Sequence, residues 1–354
     1  MENMVNHLQI KNFKSIKDLN LDCKRINVFV GKPNVGKSNI LEALSLFGVG
    51  QGNYLGLNDF IRFEKLNNLF YDNIFEKDIK LDVDWGHLMV TYSYLNNSFQ
   101  LFASEYHEAL AKFKGTKDLN MFLEERRKAS HNQLSPFHET YIEMRDGQKD
   151  VLFIPQIRTP VKSYKYTGLI DSNRTFYEYL TPPFGENLPA IIQSNKELRT
   201  EIVSYFAEYG LEFVFRAGEN KVEIQKNVDG FVTAYPYSLT ADTLQRMIFY
   251  LAAIKSNKNS VLLFEEPETH TFPSYTTALA YNIVASKDNQ FFITTHNPYL
   301  LDTILEESNF EETAVFKVSY KDYQTHAVAL TEEEIEDIVS YGADVFINHK
   351  AFGN

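Results

Sequence analysis

Residues Gly31 to Ser38 read Gly-Lys-Pro-Asn-Val-Gly-Lys-Ser, a complete G-x-x-x-x-G-K-[ST] pattern, and no other stretch limits the fold of this chain as tightly. Its surroundings are those the pattern needs. Ile26-Asn27-Val28-Phe29-Val30 ahead of it is a short β-branched and aromatic run, as a buried strand should be. Asn39-Ile40-Leu41-Glu42-Ala43-Leu44 behind it has helical composition, with Ile40, Leu41 and Leu44 on one apolar face. A strand, a glycine loop and a helix in that order predict a nucleoside-triphosphate site. Gly31 and Gly36 let backbone N–H groups face inward, and the new helix aims its positive end at the same point. Lys37 is expected to neutralise the β- and γ-phosphates, and Ser38 to place its hydroxyl on Mg²⁺.

The 354 residues suffice for one large domain or two lobes. Hydrophobic residues make up 44% and charged residues 23%, ordinary values for a globular protein, while aromatic content is high at 14%. No apolar run approaches the ~18 residues of a membrane span. Met1 to Asn12 is polar and leads into a strand-like segment, which does not read as a signal peptide. A single cysteine, Cys23, excludes an internal disulfide and a cysteine-based zinc site, and fits a reducing cytoplasm. The net charge of −12 lowers the expectation of a protein that coats nucleic acid by electrostatics alone, and leaves room for a protein client.

Three blocks emerge. Residues 1–103 hold the phosphate-loop unit and the alternating runs Ile79–Asp84 and Leu88–Tyr92, which read as an antiparallel sheet with one wet face. Residues 104–244 are mixed: a charged helical stretch from Glu105 to Lys128, a strand Val151–Ile154, a helical region from Leu188 to Tyr209, and a hairpin of Glu212–Arg216 with Lys221–Gln225. Residues 245–354 return to the strand–helix alternation of an α/β layer. The predicted fold is α/β: a P-loop NTPase with a mixed sheet and helices, an antiparallel β subdomain and an inserted helical, coupling lobe over 104–244. The stretch at 105–128 spans at most about 35 Å and shows no sustained heptads.

The second half of the site lies far downstream. Ser260-Val261-Leu262-Leu263-Phe264 is an apolar strand ending in Glu265-Glu266-Pro267-Glu268, and α/β folds place catalytic groups at such strand ends. Glu265 is expected to hold Mg²⁺ through water, and Glu266 to orient and polarise the attacking water. One helix later Gln290–Thr295 is another buried strand, ending in His296-Asn297-Pro298. A neutral imidazole there senses a γ-phosphate by donating a hydrogen bond; a packing or capping histidine is the alternative.

The strand with Glu-Glu-Pro-Glu, then Thr269-His270-Thr271-Phe272-Pro273, then the strand with Thr-Thr-His-Asn-Pro resembles the ABC-type ATPase heads of the RecF/SMC/OLD group. It is most similar to the compact AAA family ATPases of the AAA-15/AAA-21 kind. The opening Leu8–Ile16 resembles that group's first strand and turn, where a basic residue such as Lys14 reaches the nucleotide, and Asp59–Arg62 with Asn68–Phe70 is similar to the segment after the first helix. The resemblance covers roughly residues 1–100 and 235–305. It implies an ATPase using ATP and Mg²⁺ and working as a head-to-head homodimer or higher homo-oligomer, with a signature loop lent to the partner's nucleotide. In that segment, Tyr237 to Arg246, Ser238 is kept but Leu239, Thr240 and Asp242 stand where glycines belong. A plain helix cap by Thr240 or Ser238 is the competing reading. Slow or partner-dependent hydrolysis is the corresponding expectation.

The candidate nucleotide-binding set is therefore Lys14, Gly31, Asn34, Gly36, Lys37, Ser38, Asn39 and Ser238, with Glu266, His296 and Lys37 as catalytic candidates. Ser38, Glu265 and Gln156 are the metal candidates; Gln156 follows the strand Val151–Ile154, with a solvated loop glutamine as its alternative, and Arg62 and Arg158 are candidates for an interface. Two functions follow. The resemblance implies an ATP-gated switch for a separate effector, a nuclease or toxin, in bacterial anti-phage defence. The alternative is a RecF-like ATPase acting on DNA. The chain ends about fifty residues after His296, so a nuclease is expected on another polypeptide. Acidity and the lack of a basic-aromatic stripe favour the switch, and a cytoplasmic, non-membrane protein fits both.

Overall fold

A computed structural model describes residues 3–49, 56–94, 97–104, 140–144, 152–153, 159–168, 178–216, 219, 221–341, 345–346 and 352. In chain order its elements begin β1 (His7–Phe13), β2 (Ile16–Asp22), β3 (Ile26–Val30), α1 (Lys37–Ser45) and α2 (Leu57–Phe60). They continue with β4 (Ile79–Val83), β5 (Gly86–Ser93), β6 (Ser98–Ser104), β7 (Thr140–Met144), β8 (Leu152–Phe153) and β9 (Val161–Tyr164). Next come α3 (Leu188–Ser194), α4 (Lys196–Ala207), β10 (Glu212–Arg216), β11 (Lys221–Val228), β12 (Phe231–Pro236) and α5 (Asp242–Ser256). The chain closes with β13 (Val261–Glu265), α6 (Pro273–Ala285), β14 (Gln290–Thr294), α7 (Pro298–Glu307), β15 (Thr313–Lys321), β16 (Gln324–Ala329) and α8 (Glu332–Tyr341). No described helix is long and apolar enough to cross a membrane.

Three sheets form. The central one runs β16-β15-β3-β14-β13-β9, parallel except for β16. Its middle strands are buried on both faces, which is why they read as unbroken apolar runs. Alternate side chains go to opposite layers. Leu262, Phe264, Phe291 and Ile293 join a core with α3 to α7, whereas Val261, Leu263 and Phe292 face α1 and the second sheet. Phe29 lies between Phe316 and Phe292, ring centroids 5.1 and 6.2 Å away, an apolar rung across three strands.

The second sheet is β2-β1-β4-β5-β6-β7-β8, antiparallel throughout, and the third is β10-β11-β12. The expected hairpin of β10 and β11 is present, and β12 adds a strand that the sequence reading omits. Strands of the middle block thus enter all three sheets, β7 and β8 the antiparallel one and β9 the central one. The charged helical stretch 105–128 lies outside the described residues.

β9 carries an unusual residue for a central-sheet strand. Lys162 is buried, and its Nζ donates to Asn257 Oδ1 at 2.5 Å and to Ser260 Oγ at 3.2 Å, 3.4 Å from the centre of the Tyr179 ring. All of these partners are neutral, so burial lowers its pKa from 10.5 to about 7. The folded state therefore holds fewer protons than the unfolded one between pH 7 and 10.5, and this site's contribution improves as the pH rises through that window. Below about pH 7 the burden is complete, on the order of 5 kcal/mol. Lys162→Met is expected to melt several degrees higher than the wild type at pH 6, with the gap closing toward pH 10. Thermal melts of both proteins across that range check it; a gap independent of pH contradicts a buried, titrating amine.

Candidate active site

The glycine loop connects β3 to α1 in the conformation its residues allow. Gly31, Asn34 and Gly36 have φ of 150°, 62° and 98°. A Cβ on Gly31 would stand 2.3 Å from the Val318 carbonyl oxygen, and one on Gly36 2.1 Å from Thr325 Oγ1. Both contacts come from the β15–β16 hairpin, which closes on the loop from outside. Thr325 Oγ1 donates to the Val35 carbonyl at 2.9 Å and lies 2.7 Å from Ser15 Oγ, to which Asn39 Nδ2 donates at 2.6 Å. The loop is thus braced by two segments 310 residues apart. Gly36 is the N-cap of α1 and no side chain caps that helix, so the first-turn N–H groups face the loop's interior. Lys37 turns its ammonium back onto the carbonyls of Gly31 and Lys32, at 3.0 and 2.9 Å. Ser38 follows in the first turn, half-buried.

Register aligns the other strand ends with this loop. Glu265 pairs with Thr294, and Thr294 with Phe29, so the residues after each strand share one edge of the sheet. Glu265 ends β13, and its Oε1 accepts from Arg62 Nη2 at 2.9 Å. Glu266 has φ of 41°, a strained value for a non-glycine residue, held by its N–H donating to the Thr294 carbonyl at 3.0 Å. That twist leaves its side chain open to solvent and sets Oε1 3.5 Å from His296 Nε2. Burial lowers the His296 pKa, the Lys37 ammonium lowers it further, and Glu266 opposes both. The imidazole is therefore neutral at pH 7, with an N–H to donate. Burial likewise lowers the Lys37 pKa, against the pull of Glu266 and Glu265.

Three participants escape the sequence reading. Glu42, one turn beyond Ser38 on the same face of α1, is buried between the Lys14 ammonium and Arg62 Nε, the latter at 2.8 Å. Glu268 is also buried; its Oε1 accepts from Thr295 Oγ1 at 2.5 Å and from the His296 N–H at 3.2 Å, tying the turn after β13 to the turn after β14. Burial raises its pKa. Thr325 is the third. Each joins segments far apart in the chain; Glu268 stands in the Glu-Glu-Pro-Glu motif, but no local pattern marks the contacts that any of the three makes.

The Lys14 ammonium contacts Glu42 and donates to the Arg62 carbonyl at 2.6 Å. The competing cap reading needs correction. Neither Thr240 nor Ser238 caps α5. The N-cap is Ala241, no side chain accepts there, Thr240 Oγ1 is buried without a partner, and Ser238 is exposed on a short 3₁₀ turn. Asp242 instead begins the helix 3.8 Å from Arg246 Nε and, after burial, is the main influence raising the pKa of the Tyr166 phenol, whose hydroxyl donates to Gln245 Oε1 at 3.4 Å. No described hydrogen bond or ion pair joins Ser238 to the phosphate loop of its own chain. Thr243 Oγ1 does donate to the His270 carbonyl at 2.9 Å, linking α5 to the turn that follows Glu266. Gln156 and Arg158 lie outside the described residues.

The glycine cradle, its free N–H groups and the lysine fit a triphosphate. Ser38 and Glu265 together suit Mg²⁺, a hard cation that keeps several waters and takes phosphate oxygens as ligands. Among the described residues no cluster of three or more His, Cys, Asp or Glu is placed to hold a metal ion.

Comparison with known proteins bears on this arrangement. An Smc head bound to the C-winged helix domain of ScpA is 13% identical, with 93% of this chain and 98% of that one covered at a TM-score of 0.48. The SMC head domain from Thermotoga maritima gives 14%, 92%, 99% and 0.42, likenesses too distant to argue from. The uncharacterized protein MJECL10 of Methanocaldococcus jannaschii is 33% identical over 119 residues, which are 29% of this chain and 51% of that protein, so the chain spans about half the length of the curated relative it matches. The model of the AAA ATPase domain family (AAA_15) matches residues 4–145 and 158–301. That is well over half of the chain, and both the phosphate loop and the acidic strand end lie within it: the protein belongs to the AAA ATPase domain family and is an ATPase.

Proposed function

We propose that this ATPase is a switch that pairs with a second copy of itself around ATP and, in doing so, gates a separate protein effector in bacterial anti-phage defence. The observation that carries it is the division of the site. Lys37, Ser38, Glu265, Glu266 and His296 converge on one edge of the central sheet, while the N-terminus of α5 is uncapped and exposed, and Ser238 ahead of it makes no described bond to the phosphate loop. A helix end with free N–H groups and a positive dipole suits the γ-phosphate of a facing copy.

Within one copy the roles follow from position. The loop N–H groups and Lys37 bind the phosphates. Ser38, with Glu265 through water, would hold Mg²⁺, which would supply charge neutralisation to the phosphates. Glu266 accepts a proton from the attacking water and orients it, and neutral His296 donates to the γ-phosphate. Glu268 fixes the His296 backbone. Release of phosphate removes the bridge between copies and opens the pair. The acidic charge of the chain favours a protein client over DNA.

Concentration dependence tests the pairing. Turnover per chain is expected to rise with protein concentration and to level off once dimers dominate; a constant rate from a species that stays monomeric in ATP contradicts it. Asp242→Gly is expected to raise turnover several-fold, because it removes a carboxylate from the helix end and lets the backbone approach phosphate. Steady-state assays at matched concentration read this out, and an unchanged rate assigns Asp242 only to its Tyr166 and Arg246 contacts.

A further inference from the structure

Arg62 is not needed for any step above, yet it sits against the acid that should carry the metal. Its guanidinium spans two carboxylates: Nε lies on Glu42 Oε1 at 2.8 Å and Nη2 on Glu265 Oε1 at 2.9 Å. Glu42 is the anchor. It is buried, shared with Lys14, and rises from α1 one turn beyond Ser38, so the guanidinium lies between α1 and the end of β13. The Glu265 end differs: that carboxylate is 35% exposed and the Arg62 side chain 59%, so their pair is in contact with water and weak.

We propose that Arg62 is a positioning residue that keeps Glu265 paired and closed to divalent cations until a triphosphate brings the metal in. This rests on the reading of Glu265 as the metal-holding acid. A guanidinium and a hydrated divalent cation compete for the same carboxylate oxygen, and both cannot hold it. Without nucleotide, Ser38 and Glu265 are too few ligands to displace Arg62. With nucleotide the phosphate oxygens supply the rest, the weak Nη2 contact yields, and Nε stays on Glu42, so the side chain shifts without leaving the site. Metal entry is thereby coupled to nucleotide entry.

The test measures Mn²⁺ binding to nucleotide-free protein by electron paramagnetic resonance, with Mn²⁺ standing in for Mg²⁺. Arg62→Gln is expected to bind Mn²⁺ about three- to tenfold more tightly than the wild type. Arg62→Lys should fall between them, since it still satisfies Glu42 but has no fork to span both carboxylates. The Arg62→Gln/Glu265→Gln double variant should lose the gain. Melting curves establish that each variant is folded; should Arg62→Gln unfold for want of a partner to Glu42, Arg62→Lys carries the comparison. Affinity equal to or below the wild type in folded Arg62 variants overturns the gate. A gain that persists in the double variant overturns the assignment of Glu265 instead.

Discussion

Lys37→Ala is expected to lose nucleotide binding by a factor of a hundred or more and turnover entirely. The ammonium already occupies the loop's mouth, bonded to the Gly31 and Lys32 carbonyls. On the proposed reading it is the cation that the loop itself supplies to the phosphates; burial lowers its pKa, against the pull of Glu266 and Glu265. Without it, a triphosphate with several negative charges must approach two carboxylates with only N–H dipoles in compensation. Two charge-assisted hydrogen bonds at about 1.5–3 kcal/mol each give a loss of two to four orders of magnitude. Titration with a fluorescent ATP analogue measures it, and binding within threefold of the wild type contradicts the assignment. The fold should survive, because the Thr325–Ser15–Asn39 brace does not involve Lys37. The variant also carries a second signature. With the ammonium gone, one of the two influences that lower the His296 pKa disappears, so the imidazole should titrate higher, visible in its ring proton shifts by NMR.

The central sheet and its strand-end acids were legible because their signals are local. A buried parallel strand is an unbroken apolar run, a phosphate loop is eight contiguous residues, and Glu265-Glu266 follows its strand directly. Other parts hide for equally physical reasons. Val161–Tyr164 joins the same sheet, but Lys162 interrupts its apolar pattern, and only burial among Asn257, Ser260 and Tyr179 makes that lysine acceptable. β12 is exposed along its whole length, so no periodicity betrays it. The chain Lys14–Glu42–Arg62–Glu265 links four segments through side chains alone. Its members read as ordinary charged residues until the fold brings them together. A threonine and a serine just ahead of α5 suggested a cap, yet the backbone enters that helix through Ala241 with both hydroxyls turned elsewhere. Capping depends on a dihedral choice at one residue, which composition does not determine.

Glu266→Gln should separate binding from chemistry. The substitution keeps shape and length, so the left-handed backbone at this position and the N–H donated to Thr294 are retained. It removes only the ability to take a proton. Affinity for ATP is expected to stay within a few-fold of the wild type, while hydrolysis falls by about two to four orders of magnitude, the usual contribution of a positioned general base. Glu268, two residues on, could be mistaken for that base, and its environment argues otherwise. It is buried, its pKa is raised, and Oε1 is committed to Thr295 and the His296 N–H, so it neither meets solvent nor favours the ionised form. Glu266 is open to solvent and faces the neutral His296 across 3.5 Å. If hydrolysis is what opens the pair of copies, the stalled variant should accumulate as a dimer or larger species in ATP but not in ADP, as light scattering after size exclusion would show. Wild-type turnover in Glu266→Gln would contradict the base assignment. A stalled enzyme that remains monomeric in ATP would leave the base in place and remove the dimeric switch, because the same strand ends can hydrolyse ATP without a partner only if α5 plays no part in closing the site.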